Sequence, residues 1–465
     1  MQASARITPT KRMTYAVSFV SVFLAFLAWM PVSRGASAYP VLAESIIEYN
    51  QKAQRKILSD GEYMGHAGIL LMGPDLARTF GFKTLIDEDY TQGKALHEKA
   101  ERLFDEAVAA MTTQGKETAP GEHAERVGEL GLAYHTTLVS ARTHLGAYRL
   151  KLNPEVDDRL NPEKCSALMD TLLAHAFEAA SYNLREGLGA FYNRTQGLPG
   201  SHPFLTPDNI RFVNHVFNAF VQNAPEAARK PYDLGRQDLG DRANPGTAWK
   251  SVVEHRARPF IQYLDPLIQE WKQGRYPVDP LLFIALMKRE SNLDPRAVSY
   301  VGAVGLTQIM PKTGKGLGMK QIYMPPYFDK AIDLYREERK LNHRAKSTVK
   351  QITDKSMLEK GKRARQLMQK SLDYRIKRTH LLARYRKDLL EKNWDDRLKP
   401  ELAIRYGYTY FSQMMKRQKG DISLALAAYN AGPHRVQQYN GIPPFRKRWP
   451  SETGLWRFTG NISTN

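Results

Sequence analysis

Glu290 and Ser291 close the run VDPLLFIALMKRES, immediately before the turn written NLDP. A carboxyl at the end of a strongly apolar helix is placed for partial desolvation, which raises its pKa and keeps it protonated near neutral pH. Such a group can protonate a leaving oxygen, the step that cleavage of a glycosidic bond requires. Ser291 beside it could hydrogen-bond the reacting region. A second block, GAVGLTQIMP from Gly302 to Pro311, carries Gln308 and Met310 on a turn that Gly302 and Gly305 would allow to approach a ligand closely. The Gln308 amide suits an acetamido or hydroxyl group. A third block, LALAAYNAGPHRV from Leu424 to Val436, offers Tyr429 and Asn430 ahead of the stop signals Gly432 and Pro433. Tyr429 could hydrogen-bond or stack near the acid, and Asn430 could orient substrate or hold the fold. Taken singly, the blocks read as a surface Glu-Ser pair, a glycine-rich turn and a helix end.

Together and in this order the three blocks resemble the signature of the goose-lysozyme-like lytic transglycosylases, the soluble lytic transglycosylase type, over roughly Asp279–Tyr439. Asp294-Pro295 with Ala297-Val298-Ser299, Ile309-Met310-Pro311 and PELAIRYGYTYFSQMM (Pro400–Met415) match as well. The resemblance implies a single glutamate, Glu290, acting on the bond between N-acetylmuramic acid and N-acetylglucosamine in peptidoglycan glycan strands. The substrate's own acetamido oxygen would assist at the anomeric carbon, the same glutamate would take the proton from the C6 hydroxyl, and a 1,6-anhydro end would form without water. Ser291, Gln308, Met310, Tyr429 and Asn430 become the substrate-binding residues, with no cofactor and no metal. That scheme agrees with the absence of a second acid in the motif blocks, since Asp294 reads as a local turn residue. The alternatives are a hydrolytic goose-type lysozyme and a catalytically inactive wall-binding protein.

Three departures from the pattern stand out. Thr307 occupies a position where the family often has Met, which would alter a sugar subsite. Gln308 and Tyr429 are 121 positions apart, more than the family core needs. Near the C-terminus Lys447-Arg448 stand where Glu-Thr is expected, with Glu452-Thr453 displaced beyond them.

The elements that would position these residues are helical. Leu103, Phe104, Ala107, Val108 and Met111 share one face, as do Leu168, Leu172, Leu173, Ala176, Phe177 and Ala180, and Val213, Val216, Phe217 and Phe220 continue the pattern. Leu281, Leu282, Ile284, Ala285 and Leu286 make a helix apolar on more than one face, which belongs in a core. The expected organisation is all-α: a signal peptide over 1–38, a helical N-terminal domain over 39–223, a proline- and glycine-marked linker over 224–248, and a goose-lysozyme-like transglycosylase domain over 249–465. Within the last, 335–393 reads as a long basic helical insertion in which Leu358, Leu367, Met368, Leu372, Ile376, Leu381, Leu382, Tyr385 and Leu389 recur at helical intervals, with Gly361 as a break. No internal repeat is apparent.

Charge and composition narrow the partners. The 465 residues carry a formal charge of +20, and the stretch from Lys330 to Lys399 holds 22 Lys/Arg against 10 Asp/Glu, more than half of that excess. Such a balance fits a polyanionic neighbour. Met1–Met13 is basic, Tyr15–Met30 is apolar, and Ala36-Ser37-Ala38 is an A-x-A site, together the pattern of a secretory signal cleaved after Ala38; an uncleaved anchor is the alternative. Export to the periplasm argues against nucleic acid, and the basic insertion reads either as a solvated helical segment with no partner or as a contact with an anionic wall or membrane surface. The lone Cys165 cannot form an internal disulfide and reads as a half-buried helix residue. His97-Glu98 lacks a second His at metal spacing, GKGLGMK (Gly314–Lys320) lacks P-loop spacing, and no GxSxG elbow occurs.

Overall fold

The computed structural model describes residues 39–445 apart from 61–64, 114–120, 199–203, 205, 236–249, 251–252, 254 and 274–275. The expected signal peptide and the C-terminal stretch with Lys447-Arg448 and Glu452-Thr453 lie outside the described residues. Those that are described form helices and short turns, with only isolated β-bridges beside them.

In chain order the helices are α1 (Pro40–Asp60), α2 (Pro74–Thr79), α3 (Glu88–Thr112), α4 (Glu122–Leu150), α5 (Pro162–Ala179), α6 (Leu184–Thr195), α7 (Pro207–Asn223), α8 (Glu226–Arg229), α9 (Ile261–Gln273), α10 (Pro280–Ser291), α11 (Pro311–Gly316), α12 (Pro326–Lys350), α13 (Met357–Lys392), α14 (Pro400–Arg417), α15 (Ile422–Ala431) and α16 (Pro433–Gln438). The stop and start chemistry is local. Asp87, Asn161, Asn183, Thr206, Asp279 and Asp421 each accept a backbone N–H as N-caps, and proline fills the first helical position of α2, α5, α7, α10, α11, α14 and α16.

Two units with the same framework account for this order, contrary to the expectation of no internal repeat. Each starts with a helix (α1, α10) and passes through a glycine-marked loop into a one-turn helix (α2, α11). A long helical hairpin follows (α3–α4, α12–α13), then a short 3-10 turn, then an 18-residue helix opened by proline (α5, α14) and a helix N-capped by a polar side chain (α6, α15). The turns read DDRLNPE at Asp157–Glu163 and DDRLKPE at Asp395–Glu401.

The arginine of that turn ties each unit together. Arg159 forks onto Asp157 (2.9 and 2.8 Å) and donates to the carbonyls of Gly65 (2.7 Å) and Met72 (2.9 Å) and to the Tyr148 hydroxyl (2.6 Å). Arg397 forks onto Asp395 (2.9 and 2.7 Å) and donates to Gly302 (3.4 Å), Ile309 (3.2 Å) and the Tyr385 hydroxyl (2.8 Å). Both guanidinium groups are buried, so the paired carboxylate and the carbonyls must satisfy them. A Cβ on Gly68 would lie 1.8 Å from the Arg159 carbonyl oxygen, and one on Gly305 would lie 1.9 Å from that of Arg397. These glycines are required because the loop lies against the turn. The close approach expected of Gly305 is therefore made to the protein's own backbone.

The units are not separate bodies. One core holds Leu42, Ile46, Met169, Phe177, Phe191 and Phe220 of the first together with Leu282, Phe283, Leu286, Leu306, Phe411 and Leu426 of the second. Arg185 makes a buried 2.6 Å ion pair with Asp421, and Asn214 bonds both polar backbone atoms of Ile442. The stretch expected as a linker is described as far as Gly235. There it packs into the junction: the Tyr232 ring meets Phe177 and Phe220 (centroids 4.9 and 5.6 Å), and Ile422 N–H donates to Gly235.

The hairpins also pack together. Ala107, Met111, Val127 and Leu130 bury against Ala345, Val349, Ala364 and Met368. Gly361 does not break α13. It sits within the helix where a Cβ would lie 2.5 Å from the Ala124 carbonyl, so its lack of a side chain lets α4 and α13 touch. The apolar stripe of the basic segment is thus used inside the molecule, while Leu358 and Ile376 remain exposed. Cys165 is fully buried on α5, where burial pushes its thiol up to about 12.

Candidate active site

Helix α10 delivers the acid. Its N-cap Asp279 accepts from Leu281 N–H (2.7 Å) and Leu282 N–H (3.2 Å), Pro280 starts the first turn, and Leu282 through Met287 are buried without a gap. Asn292 ends the helix in the left-handed conformation (φ 53°), leaving Glu290 half-buried in the last turn. Ser291 is buried and its hydroxyl donates to the Met287 carbonyl (3.0 Å), so it serves the helix end. Asp294 is exposed and accepts from Arg296 N–H (2.8 Å), the bond of a turn residue.

The loop from Gly302 to Met310 forms the adjoining wall, fixed from behind by Arg397. Gln308 has φ 48°, and its amide donates to the carbonyls of Gly305 (2.9 Å) and Ala297 (3.2 Å), bracing the loop. Met310 is half-buried at the start of α11. Thr307 is buried, and its hydroxyl donates to the Ala403 carbonyl (2.9 Å) under α14. A Cβ at Gly407 would reach within 2.4 Å of the Thr307 methyl, so the smaller Thr fits where α14 comes close.

Helix α15 supplies the third side. Tyr429 donates its hydroxyl to the Thr307 carbonyl (2.7 Å) and packs on the Tyr410 and Phe411 rings. Burial first, and then the charge of Glu290, push its phenol well above the ordinary value, so it stays a neutral donor. Asn430, half-buried, donates to the Leu426 carbonyl (3.2 Å) one turn back. Tyr429 is the residue whose electrostatics tie the third block to Glu290. Arg397 and Asp395, which hold the loop, escaped the motif reading; the repeated DDRL-x-PE string was the signal for them.

No group of His, Cys, Asp or Glu among the described residues has the arrangement of a metal site. The motif residues placed here supply the acid Glu290, the neutral phenol of Tyr429 and the amides of Gln308 and Asn430.

The family described as "Transglycosylase SLT domain" matches this chain at residues 266–337 and 330–451. Over that stretch the chain is similar to the transglycosylase SLT family. Its all-α, lysozyme-like architecture is the one observed here. Among curated proteins, the chain is similar to "Membrane-bound lytic murein transglycosylase C" of Actinobacillus pleuropneumoniae serotype 5b, with 44% identity over 116 residues, 24% of this chain and 31% of the relative. The protein of the same name from Haemophilus influenzae (strain PittEE) is 43% identical over 61 residues, 13% of this chain and 16% of the relative. That from Histophilus somni is 42% identical over 62 residues, again 13% and 16%. The chain thus spans less than a third of the length of these curated relatives. No solved structure matches it. The SLT match begins within α9 and runs through the second unit, the one with Glu290.

Proposed function

We propose that the protein is a lytic transglycosylase that cleaves the N-acetylmuramic acid–N-acetylglucosamine bond of peptidoglycan without water, with Glu290 as its single acid and base. The observation that carries this reading is Glu290, half-buried at the end of α10, whose charge acts on the neutral Tyr429, in motif blocks that offer only the turn residue Asp294 as a further acid. A two-carboxylate hydrolase needs a nucleophile or base opposite the acid. The proton of Glu290 goes to the glycosidic oxygen as the bond to the anomeric carbon breaks, and the substrate's acetamido oxygen bonds that carbon. The C6 hydroxyl then displaces the acetamido oxygen and gives its proton to the Glu290 carboxylate, which restores the acid and closes the 1,6-anhydro ring. Gln308, Met310, Tyr429 and Asn430, with Ser291 at the helix end, form the walls that hold the sugar.

The names of the similar proteins support this reading, as does the domain match. We place the protein in the periplasm, exported through the signal pattern of Met1–Ala38. No helix among the described residues is long and apolar enough to cross a membrane. The Lys/Arg face of α12–α13 is read as a contact with anionic wall polymer or lipid head groups; binding to anionic vesicles or sacculi that is indifferent to salt would remove that role.

The test is Glu290→Gln. Purified sacculi treated with this variant should yield no anhydromuropeptides, while the parent chain yields them. Mass spectrometry separates the readings, because a hydrolase leaves a reducing end one water heavier. Normal turnover by the variant would remove the role given to Glu290.

A further inference from the structure

The first unit repeats the frame of the second but carries different groups at the site. Counting from the opening proline of α1 and α10, Asn50 stands where Glu290 stands in the second unit, in the same register of buried positions: Leu42 and Leu282, Ala43 and Phe283, Ile46 and Leu286. The Asn50 amide donates to the Ile69 carbonyl (2.8 Å), so it ties α1 to the loop. Leu71 holds the place of Gln308, with φ 49° against 48°. An apolar side chain in that strained backbone region is uncommon, and the shared loop imposes it. Counting from the N-caps Asn183 and Asp421, the buried Phe191 replaces Tyr429. At these three registers the acid, the amide and the phenol of the second unit are replaced by Asn50, Leu71 and Phe191.

A cavity nevertheless opens on the outer side of its loop. It measures about 180 Å³ and is lined by His66, Gly73, Asp75, Tyr90, Lys94 and Gln196, with Leu76 and Thr195 beside them. That is below the ~300–1,000 Å³ of sites for drug-sized ligands, and suits a single sugar ring. Its charges cancel: Lys94 donates to Asp75 (2.7 Å), and Tyr90 donates to the same carboxylate (2.7 Å). Burial, and then the charge of Arg159, push His66 down to about 4, so its imidazole is neutral at physiological pH. Gln196 donates to the Leu71 carbonyl (3.2 Å) and brings an amide to the wall. A neutral pocket with an aromatic ring, an imidazole and an amide matches an uncharged, hydroxyl- and acetamido-bearing ligand better than an anion or a cation.

We propose that the first unit is a saccharide-binding copy of the second with no counterpart of Glu290, and that this cavity holds an uncharged N-acetylated sugar ring of the glycan strand. The inference rests on the reading that the second unit acts on that strand. The unit then acts as a grip. Because the two units share one core, a strand held at the first is kept near Glu290, which raises its effective concentration there.

The probe is a short N-acetylglucosamine oligomer titrated calorimetrically into the full chain carrying Glu290→Gln. Two sites per chain are expected. Gly73→Trp fills the cavity at a residue whose φ of −69° any side chain adopts and whose Cβ would lie 3.3 Å from the His66 ring of the lining, and it should reduce the count to one. Should that variant fail to fold, Lys94→Ala with Gln196→Ala should weaken the first site by about tenfold, the effect of losing roughly one hydrogen bond's free energy. In chains that keep Glu290, the same changes should raise the sacculus concentration needed for half-maximal release and leave kcat unchanged. One site in the parent, no binding, or two unaltered sites in the variants would each overturn the inference. Release of anhydromuropeptides is measured in parallel. If anhydro ends form while only one site is found, this inference alone fails; if none form, the functional reading fails first.

Discussion

Arg159 and Arg397 make the same bonds to the same parts of two loops, yet the surfaces those loops present differ at each position where chemistry would be done. In the second unit the loop leads to Gln308, and Glu290 and Tyr429 interact across it. In the first, Leu71, Asn50 and Phe191 occupy the matching registers. The comparison separates two demands that are usually fused in one active site. A buried arginine with its carboxylate and two carbonyls fixes the fold of the loop; the groups on the outer face decide what the loop does. The frame can therefore persist after the chemistry has gone. The first unit keeps a structural role as well, because Arg185 holds the N-cap of α15, the helix that carries Tyr429.

The largest effects should come from the arginines themselves. Arg397→Met leaves the Asp395 carboxylate buried without its partner and frees the carbonyls of Gly302 and Ile309, at a cost of about 3–5 kcal/mol. Arg159→Met does the same to Asp157, Gly65 and Met72 at a similar cost. Urea unfolding followed by tryptophan fluorescence and by circular dichroism checks both. The two probes should report one transition in each variant, because the units share a core. Transitions that separate, with only one unit lost, would show that the packing between the units contributes little. Release of anhydro ends at a temperature where both variants remain folded sharpens the contrast. It should drop steeply in Arg397→Met, whose loop carries Gln308, and much less in Arg159→Met.

Much of the second unit was legible in the sequence, and the reason is that its chemistry is local. Glu290, Gln308 and Tyr429 each sit within a short string whose caps and glycines also define the local fold, so motif and geometry coincide. The first unit was read only as helices. Its counterparts to those strings, IIEYNQK, AGILLMGP and GAFYNRT, put Asn50, Leu71 and Phe191 at the registers of Glu290, Gln308 and Tyr429, and Tyr192-Asn193 falls one position later than Tyr429-Asn430. What survives is the DDRL-x-PE turn, the spacing of Gly65 and Gly68 matched by Gly302 and Gly305, and the equal distance from Asp157 to Asn183 and from Asp395 to Asp421. These are framework signals, and a search for chemistry passes over them. The fate of the basic segment was illegible for another reason. Its apolar stripe predicted a buried face, but the partner, α3–α4, lies more than two hundred residues earlier in the chain. For Thr307 the sequence showed only a departure from the family's Met, whereas the direction of its side chain is set by the close approach of α14.

A middle-sized effect tests whether the acid alone separates the units. Asn50→Glu, placed in the Glu290→Gln chain, puts a carboxyl at the matching register of the first unit. It should restore no release of anhydro ends, because Leu71 and Phe191 supply neither the amide nor the phenol. It should also lower stability by about 1–3 kcal/mol, since the bond from the Asn50 amide to the Ile69 carbonyl is lost and an acceptor faces that carbonyl instead. Measurable turnover would mean that the frame plus one carboxyl is enough, and would bring the two units much closer in function than their surfaces suggest.

The smallest expected effect is a pH dependence that only one unit has. His66 lies in the first loop at the position that Ala303 holds in the second. Burial and the neighbouring Arg159 lower its folded-state pKa from 6.5 to about 4. Between those values the unfolded chain binds the proton more readily than the folded one, so stability rises with pH there. The contribution is fully present above about pH 6.5 and is lost as pH falls toward 4. The partial exposure of the ring keeps the effect to about 1–2 kcal/mol, below the full value of such a shift. His66→Ala copies the second unit at this position and should flatten the dependence in urea midpoints measured from pH 7 to pH 4. An unchanged slope would assign the acid sensitivity to other groups, and would remove the neutral imidazole from the account of why this cavity favours an uncharged ligand.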